Sequence, residues 1–341
     1  MGLGSRRSLL LVLLVSVLVH PAWAAKSELK CKPDGTFKVV MFSDLHHSDS
    51  IDPRTMTAMG AVLDKEQPDM VVVGGDCLAG GGCTTVRDVK KAIRAVGRPM
   101  EQRKMPWAIV FGNHDQEHFP RTKLGKAEVI GIYASYPLNL NTRGNEKIHG
   151  AGNDTLLLKD SAGARPIFCL WLIDSGEYVS PPMEGYDWIH TDQVSWYYQT
   201  SQALEARYGR KIPGIMFFHI PLREFGEMAL TKKFEGERNE PECPSQINSG
   251  LFAAVLDRGD VQGIFCGHDH TNDYVGKWFG VRLGYDYSAG YDTYGLPDND
   301  PRNARGRGGR VFLIKESDAW NFTTWMRFED GSTDQGQPGP N

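Results

Sequence analysis

One stretch decides the fold: residues 39–46 read VVMFSDLH, an apolar run that ends in Asp44 and His46. The same arrangement, a short apolar run that stops at a polar side chain able to bind a metal, occurs five times along the chain. The other four runs are Val71–Val73 before Asp76, Ala108–Phe111 before Asn113, Ile215–Phe218 before His219, and Ile264–Cys266 before His268. Continuous runs of β-branched and aromatic residues predict strands that are buried on both faces.

Helical stretches separate these predicted strands. They are Pro53–Glu66, Thr85–Arg103, Asp192–Tyr208 and Asn248–Asp257. Alternation of strands and helices predicts an α/β protein with largely parallel sheets. Because ligands in such sheets bind beyond the C-terminal ends of the strands, we expect the five polar strand ends to gather at one edge of one catalytic domain.

The C-terminal part of the chain has a different pattern. After residue 272 we interpret Val281–Tyr287, Arg310–Lys315 and Asn321–Phe328 as meander strands of a second sheet. Residues 330–341 are rich in Gly, Pro and Gln and are predicted to be a disordered tail. The predicted organisation is therefore a leader (1–24), one domain (25–329) and a tail (330–341).

The first 24 residues have the pattern of a secretory signal peptide. Two arginines precede the apolar run Leu9–Val19, and Ala22-Trp23-Ala24 places small residues before a cut at Ala25. An apolar run of eleven residues is shorter than the roughly 20 that span a bilayer. We therefore expect a secreted protein that has no membrane span.

Composition excludes several classes of protein. With 341 residues, 40% hydrophobic and 23% charged, the chain is not a collagen, a coiled coil or a disordered polymer. Its formal net charge is −4, and it becomes −6 without the two arginines of the leader. Since no long Lys/Arg block is present, no nucleic-acid-binding surface is evident. An acidic protein still binds phosphate where metal ions supply local positive charge.

The strand ends carry seven candidate metal ligands of mixed type: carboxylate, imidazole and one amide. These are Asp44, His46, Asp76, Asn113, His219, His268 and His270. Such a set suits Fe, Zn or Mn, and it is too large for one four-coordinate zinc. It fits two divalent or mixed-valence ions that share a bridging carboxylate. A glycine before Asp76, Asn113 and His268 predicts tight turns with the backbone close to the ions.

These motifs, taken in order, resemble the calcineurin-like metallophosphoesterase superfamily. The residues that carry the resemblance are Asp44-x-His46, Gly75-Asp76, Gly112-Asn113-His114-Asp115, His219 and Gly267-His268-x-His270. Within the superfamily the chain is most similar to the small purple-acid-phosphatase-like proteins of plants, fungi and bacteria, over nearly all of the mature chain. The resemblance implies a four-layer α/β/β/α sandwich, in which two packed mixed sheets are flanked by helices.

The resemblance also implies a role for each ligand. The first ion would be held by Asp44, His46 and His270, and the second by Asn113, His219 and His268, with Asp76 as the bridge. A hydroxide that bridges the ions would attack phosphorus in line. His114 would act at the substrate as general acid or charge stabiliser, and Asp115 would orient and charge that imidazole.

Two positions depart from true purple acid phosphatases. The tyrosine that ligates ferric iron there is Ala79 here, and a glycine of the first motif is His46. Both departures favour the general metallophosphoesterase site over the purple one. An iron-loaded protein is therefore expected to lack the tyrosinate-to-iron charge-transfer band.

The predicted function is a secreted binuclear-metal phosphoester hydrolase, an acid-phosphatase-like phosphomonoesterase that acts on a small phosphoester. One alternative is a phosphodiesterase of the same fold, because the pocket walls and not the metal ligands separate the two activities. A second alternative is a non-catalytic scaffold that binds phosphorylated ligands or a protein partner. The complete ligand set argues against this scaffold. The sequence does not indicate an oligomeric state.

Several further residues have less specific interpretations. Cys169 and Cys266 lie in strand-like runs and are expected to be buried thiols, whereas the Gly-rich loop between Cys77 and Cys83 predicts a disulfide. Asn153 and Asn321 begin glycosylation sequons. Eight further residues are candidates for the active-site cleft, but a purely structural role explains each of them at least as well. They are His47, His118, His190, Arg223, Tyr285, Tyr287, Tyr291 and Tyr294.

Overall fold

The computed structural model describes residues 27–334, so the predicted signal peptide lies outside the described residues. Between these limits the strands β1 to β12 are, in chain order, Thr36–Phe42, Met70–Gly74, Trp107–Val110, Asp154–Lys159, Pro166–Leu172, Gly214–Phe217, Phe234–Glu235, Val261–Cys266, Val275–Trp278, Val281–Tyr285, Gly308–Lys315 and Thr323–Phe328. The helices α1 to α7 are Pro53–Glu66, Val86–Arg103, Phe119–Thr122, Lys126–Ala134, Thr191–Tyr208, Arg223–Leu230 and Leu251–Arg258.

The strands form two mixed sheets. The first sheet has the order β12-β11-β1-β2-β3, and the second has the order β4-β5-β6-β8-β10-β9-β7. Strands β1, β2 and β3 are parallel, and so are β5, β6, β8 and β10. The C-terminal ends of β1, β2 and β3 therefore share one edge of the first sheet, and those of β6 and β8 share one edge of the second.

Capping side chains fix the starts of α1 and α2, the two long helices that follow β1 and β2. The carboxylate of Asp52 accepts from the backbone N–H of Arg54 directly before Pro53 opens α1. Thr85 and Asp88 form a reciprocal capping box at the start of α2. Helix α7 begins three residues later than predicted because Gly250, in the left-handed region at φ 75°, directly precedes it.

Alternation along the strands divides the apolar side chains into three layers. In β1, Val39 and Met41 face an inner core between the two sheets, whereas Val40 and Phe42 face the helices α1, α2 and α4. In β5, Phe168, Leu170 and Leu172 face the inner core. The opposite face of that strand packs under α5, α6 and α7, in a core that contains Cys169 and Trp171. The predicted α/β class and four-layer sandwich are confirmed.

The C-terminal strands are placed differently from the prediction. Strand β10 joins the second sheet parallel to β8, whereas β11 pairs antiparallel with β1 and carries β12 on its other side. The three strands therefore extend two existing sheets and do not form a meander of their own. Each is apolar enough to be recognised as a strand, but periodicity does not specify which neighbour it pairs with.

The start of the predicted disordered tail is ordered. Residues 330–334 fold back on β12, where Thr333 bridges Arg327 and the carboxylate of Asp334 accepts from the backbone N–H of Met326 at 2.8 Å. Residues 335–341 lie outside the described part of the chain. None of the helices between residues 27 and 334 combines the length and hydropathy that a bilayer crossing requires.

The predicted Cys77–Cys83 disulfide is absent, and one of the two glycosylation sequons is buried. Cys77 and Cys83 are both free thiols in the apolar core beneath α2, and the Gly80–Gly82 turn lies between them. Cys169 and Cys266 are buried and free, as predicted. Asn153 is buried and bonds through both ends of its amide, to His149 and to Gln193 among others, so it is not an accessible glycan acceptor.

Candidate metal centre

The strand-end turns that carry the predicted ligands have an uncommon backbone. Asp44, His46, Asp76 and His268 have φ values of 56°, 51°, 45° and 78°, in the left-handed region. Each such residue costs on the order of 1–3 kcal/mol for a side chain other than glycine, and the cost persists only where surrounding structure enforces it. Four of the seven predicted ligands are therefore held in strained turns directly after their strands.

The glycines of these motifs allow ligands from different strands to approach one another. A Cβ atom on Gly75 would lie 2.5 Å from Nδ1 of His219, and one on Gly112 would overlap the carboxylate of Asp76 and lie 2.7 Å from the His219 ring. The sequence predicted that glycine lets the backbone approach the ions. In the structure the backbone at these two glycines instead approaches the ligand side chains themselves.

The structure brings six of the seven side chains into two adjoining groups. Asp44, His46 and His270 form one group, and Asp76, His219 and His268 form the other. In each group the potential ligand atoms lie within 4.8 Å of one another. Oδ2 of Asp76 lies 3.0 Å from Nε2 of His219 and 3.6 Å from Nε2 of His46, so this carboxylate stands between the groups.

The seventh side chain, Asn113, belongs beside the second group. It follows Gly112, which packs on Asp76 and His219, and it precedes His114, whose backbone N–H donates to Oδ1 of Asp76 at 2.8 Å. The Asn113 side chain is buried, and its amide nitrogen donates to the hydroxyl of Tyr178 at 2.8 Å. The amide oxygen is therefore the end that remains for a cation.

The chemistry of the donor atoms fits a pair of bound metal ions. Among the described residues, five buried ligand atoms make no well-aligned hydrogen bond, although Nε2 of His219 lies 3.0 Å from the Asp76 carboxylate. They are Oδ1 of Asp44, Nε2 of His46, Oδ1 of Asn113, Nε2 of His219 and Nε2 of His268. Buried polar atoms are nearly always hydrogen-bonded, and each unsatisfied atom costs about 1–3 kcal/mol. Five such atoms in one place, all of types that bind Fe, Zn or Mn, are explained by cations that they would coordinate.

The imidazoles are oriented by groups behind them. Nδ1 of His219 bonds the carbonyl oxygen of Gly74 at 2.9 Å, and Nδ1 of His270 bonds the hydroxyl of Thr293 at 3.0 Å. Each bond leaves Nε2 directed to the carboxylates, which is the arrangement that metal-binding histidines usually have. The ring of Tyr294 stacks on His270 with centroids 4.0 Å apart.

Charge in the site keeps the carboxylates ionised. Burial raises the pKa of Asp44, but the charges of His270 and His219 outweigh it and hold that pKa well below its usual range. Burial lowers the pKa of His219, yet the charges of Asp76 and Asp44 raise it to about 10. Burial and the neighbouring His219 charge lower the pKa of His268 to about 3, so His268 is neutral and its Nε2 is a free donor to a metal.

His114 has a different carboxylate partner from the one predicted. Its Nδ1 lies 2.7 Å from Oε1 of Glu117, and its ring centroid is 5.0 Å from that of His46. Burial lowers the pKa of His114, but the hydrogen bond to Glu117 and the charge of Asp76 raise it overall. Glu117 thus occupies the position beside the His114 ring that was predicted for Asp115. An acidic residue three positions after a histidine in a turn is the signal that would have indicated it.

Asp115 instead fastens two ligand-bearing loops together. Its Oδ1 accepts from the backbone N–H of Leu78, and its Oδ2 accepts from that of Gly112, both at 2.8 Å. Leu78 lies in the segment after Asp76, so the fully buried carboxylate of Asp115 joins that segment to the loop after β3. Both oxygens are engaged, and neither bonds His114.

Most of the weaker candidates lie away from the ligands. His190 stacks between His149 and Trp188, and Arg223 is exposed and bonds the backbone of Gln246. The others outside the cluster contact core or loop residues: His47, His118, Tyr285, Tyr287 and Tyr291. Of the four tyrosines considered, Tyr294 contacts a predicted ligand. Two tyrosines at the cluster carry no signal in the sequence: Tyr178, which bonds Asn113, and Tyr186, whose ring lies edge-on to His268 at 4.3 Å.

Comparisons with known proteins agree with this geometry. A model of the calcineurin-like phosphoesterase family matches residues 37–272. The chain is 32% identical to "Probable inactive purple acid phosphatase 29" of Arabidopsis thaliana, over 95% of this chain and 93% of that protein. It is 29% identical to phosphatase DCR2 of Saccharomyces cerevisiae, over 75% of this chain and 47% of the yeast protein. A dimetal phosphatase from Danio rerio has the same fold, with a TM-score of 0.56 at 13% identity over 86% of this chain and 95% of that chain.

Proposed function

The chain belongs to the calcineurin-like phosphoesterase family, and from this premise we propose that it is a secreted hydrolase of phosphomonoesters. Family membership makes it a metal-dependent phosphoesterase; the preference for monoesters and the export from the cell are the proposal. The observation that carries it is the convergence of five unbonded, buried ligand atoms beside His114.

Seven side chains would hold two ions of Fe, Zn or Mn in the groups described above, with Asp76 between them. When bound, such ions act as Lewis acids that polarise a phosphoester and stabilise the charge of an in-line displacement. The ionised state of Asp44 and the neutral state of His268 are the protonation states that metal binding requires.

His114 would supply the proton that the leaving group needs. Glu117 accepts at Nδ1 of His114, so Nε2 remains for the substrate. With both ring nitrogens protonated, His114 would transfer its Nε2 proton to the ester oxygen. As a water-derived oxygen bonds to phosphorus from the opposite side, the bond from phosphorus to the ester oxygen breaks, which releases a neutral alcohol and leaves inorganic phosphate. Glu117 keeps the Nδ1 proton in place and supports the positive charge of the ring before transfer.

The experiment is a hydrolysis assay on protein loaded with Mn²⁺, Zn²⁺ or Fe, with an aryl phosphate monoester and the matching bis-aryl diester as substrates. The proposal expects faster turnover of the monoester by the wild type, and loss of both bound metal and activity in Asp76→Ala. Faster diester turnover would replace the monoesterase with a phosphodiesterase. Metal-loaded protein that hydrolyses neither ester would identify a binding scaffold, in line with the word "inactive" in the name of the Arabidopsis relative.

Secretion has a separate test. The pattern of residues 1–24 supports cleavage before Ala25. N-terminal sequencing of protein recovered from the medium of an expressing cell is expected to begin at Ala25. Recovery of the uncut chain in a membrane fraction would contradict the proposal.

A further inference from the structure

A short hairpin after β5 covers one side of the ligand cluster. Backbone bonds from Val179 to Gly185 and from Asp187 to Glu177 close it, and Tyr178 pairs with Tyr186 across it. We call residues 177–187 the roof hairpin. Lys126 holds its base, with Nζ 2.9 Å from Asp174 and 3.2 Å from Glu177.

The roof hairpin contacts the second ligand group and His114. The Tyr178 ring lies edge-on to His114 with centroids 6.2 Å apart, and Tyr186 lies edge-on to His268 at 4.3 Å. In the first group, by contrast, His270 is covered by Tyr294, which lies outside the hairpin. The roof hairpin is therefore placed to act on one of the two proposed metal positions.

One polar contact links the roof hairpin to a predicted ligand. The Tyr178 hydroxyl accepts a hydrogen bond from Nδ2 of Asn113 at 2.8 Å, while the buried Oδ1 of Asn113 makes no hydrogen bond. An amide presents a cation-binding oxygen on one side and a cation-repelling NH₂ on the other, and a half-turn about its terminal torsion exchanges them. A hydroxyl that engages the NH₂ group favours the orientation in which the oxygen is available to a metal.

We propose that Tyr178 is a positioning residue that holds the Asn113 amide with its oxygen toward the second metal position, so that the roof hairpin sets the affinity for that ion. The proposal rests on the two-metal site of the proposed function. It goes further in assigning control of one ion to a segment that carries none of the seven ligands.

The test is a Zn²⁺ titration of chelator-treated protein against a chromophoric competitor, with circular dichroism to establish folding. Tyr178→Phe is expected to bind the first ion like the wild type and the second about 10- to 100-fold more weakly, the usual cost of removing a partner of a metal ligand. The matched control is Tyr186→Phe, which removes a hydroxyl from the same hairpin that has no hydrogen-bond partner among the described residues. It is expected to bind both ions normally.

A rescue variant separates amide orientation from packing. A carboxylate has two equivalent oxygens, so Asn113→Asp cannot present a wrong face, and adding it to Tyr178→Phe is expected to restore the second ion. Unchanged second-ion affinity in Tyr178→Phe would overturn the proposal. Equal weakening of both ions, or failure of the rescue in a folded double variant, would also overturn it. If wild-type protein binds two ions but hydrolyses no ester, the proposed function is wrong. The comparison of second-ion affinities among the variants would still test the role of Tyr178.

Discussion

His114 is paired with Glu117, a residue outside the family motifs quoted above, so the proposed catalysis would depend on that carboxylate. A general acid must be protonated, so its activity is lost as the pH rises through its pKa. Glu117 is one of the groups that raise the pKa of His114. If His114 is the proposed acid, Glu117 would therefore extend its active range toward higher pH in addition to orienting the ring.

Substitutions at these two positions separate metal binding from proton transfer. His114→Ala is expected to keep two metal ions per chain while turnover of an aryl phosphate falls roughly 10²–10⁴-fold. Glu117→Gln is expected to cost about 10- to 100-fold and to shift the alkaline limb of the pH profile to lower pH, because the pKa of His114 falls. The measurements are metal content and turnover against pH.

The matched control is Glu128→Gln, since Glu128 caps α4 through the backbone N–H of Gly125. It is expected to leave the pH profile unchanged. Loss of metal in His114→Ala would show that His114 is a ligand, and an unshifted profile in Glu117→Gln would show that Glu117 does not govern the acid.

The sequence indicated which side chains gather at the sheet edge, but not the partner of His114. Each ligand follows a recognisable apolar strand, so its position at the sheet edge could be predicted from the pattern of strands. Asp115 and Glu117 are both acidic and both close to His114 in sequence. Which one reaches the imidazole depends on how the turn after Asn113 is folded, and this turn has no periodicity that the sequence reveals.

At the scale of elements, the loop after β3 can pack against Asp76 and His219 only because Gly112 has no side chain. Gly112→Ala is expected to destabilise the fold by about 1–3 kcal/mol and to abolish metal binding, because the new methyl group would overlap Asp76 and press on His219. Urea unfolding and metal content measure both effects.

Gly226→Ala is the matched control, since Gly226 is helical in α6 and a Cβ there would meet Glu242 at an ordinary 3.5 Å. This variant is expected to be neutral or to gain up to about 1 kcal/mol from helix propensity. Normal metal binding by Gly112→Ala would show that the loop adjusts to the methyl group.

Helix α1 is tied to the first sheet by one buried carboxylate. Glu66 accepts from Arg327 at 2.6 Å and Trp325 at 3.1 Å, both on β12, and from Lys38 on β1 at 3.0 Å. Burial raises the pKa of Glu66, but these hydrogen bonds lower it below its ordinary value of 4.5. A folded-state pKa below the unfolded one stabilises the protein above pH 4.5, and this stabilisation is lost as the pH falls through the folded value.

Glu66→Gln is therefore expected to lower the free energy of unfolding by about 1–3 kcal/mol at pH 7 and by less below pH 4.5. Urea unfolding at pH 7 and pH 4 measures the difference. Glu146→Gln, in an exposed pair with Arg143, is the control and is expected to change stability by less than about 0.5 kcal/mol. If Glu66→Gln loses the same unfolding free energy at pH 7 and pH 4, the loss is due to packing and not to charge.

Local signals predict the secondary-structure elements but not all of their pairings. Buried strands and capped helices could be predicted because apolar runs and caps are local signals. The pairing of β11 with β1 could not be predicted, since it joins residues about 270 to 280 positions apart through contacts that no local pattern records. The roof hairpin was missed for the same reason: it lies in a stretch without periodicity, and its contacts with Asn113 and His268 arise from tertiary structure.

At the scale of the whole molecule, the ligand cluster joins the two sheets. Asp44, His46, Asp76 and Asn113 follow strands of the first sheet, whereas His219, His268 and His270 follow strands of the second. In each of the two ligand groups, residues from both sheets meet. Bound ions would therefore fasten one sheet to the other at the edge where the inner core ends.

Metal removal is consequently expected to lower the stability of the whole fold. Binding to the native state alone adds about 2.7 kcal/mol per site at a free-ion concentration 100 times Kd. Without metal, His219 carries a proton because its pKa is about 10, and ion binding must displace that proton. The rise in Tm when Zn²⁺ is added to chelator-treated protein should thus be larger at pH 8 than at pH 6. Asp76→Ala, which lacks the carboxylate between the groups, should show little rise at either pH. An equal rise in Asp76→Ala and wild type would place the stabilising ions outside this site, and the two sheets would then be held together by the inner core alone.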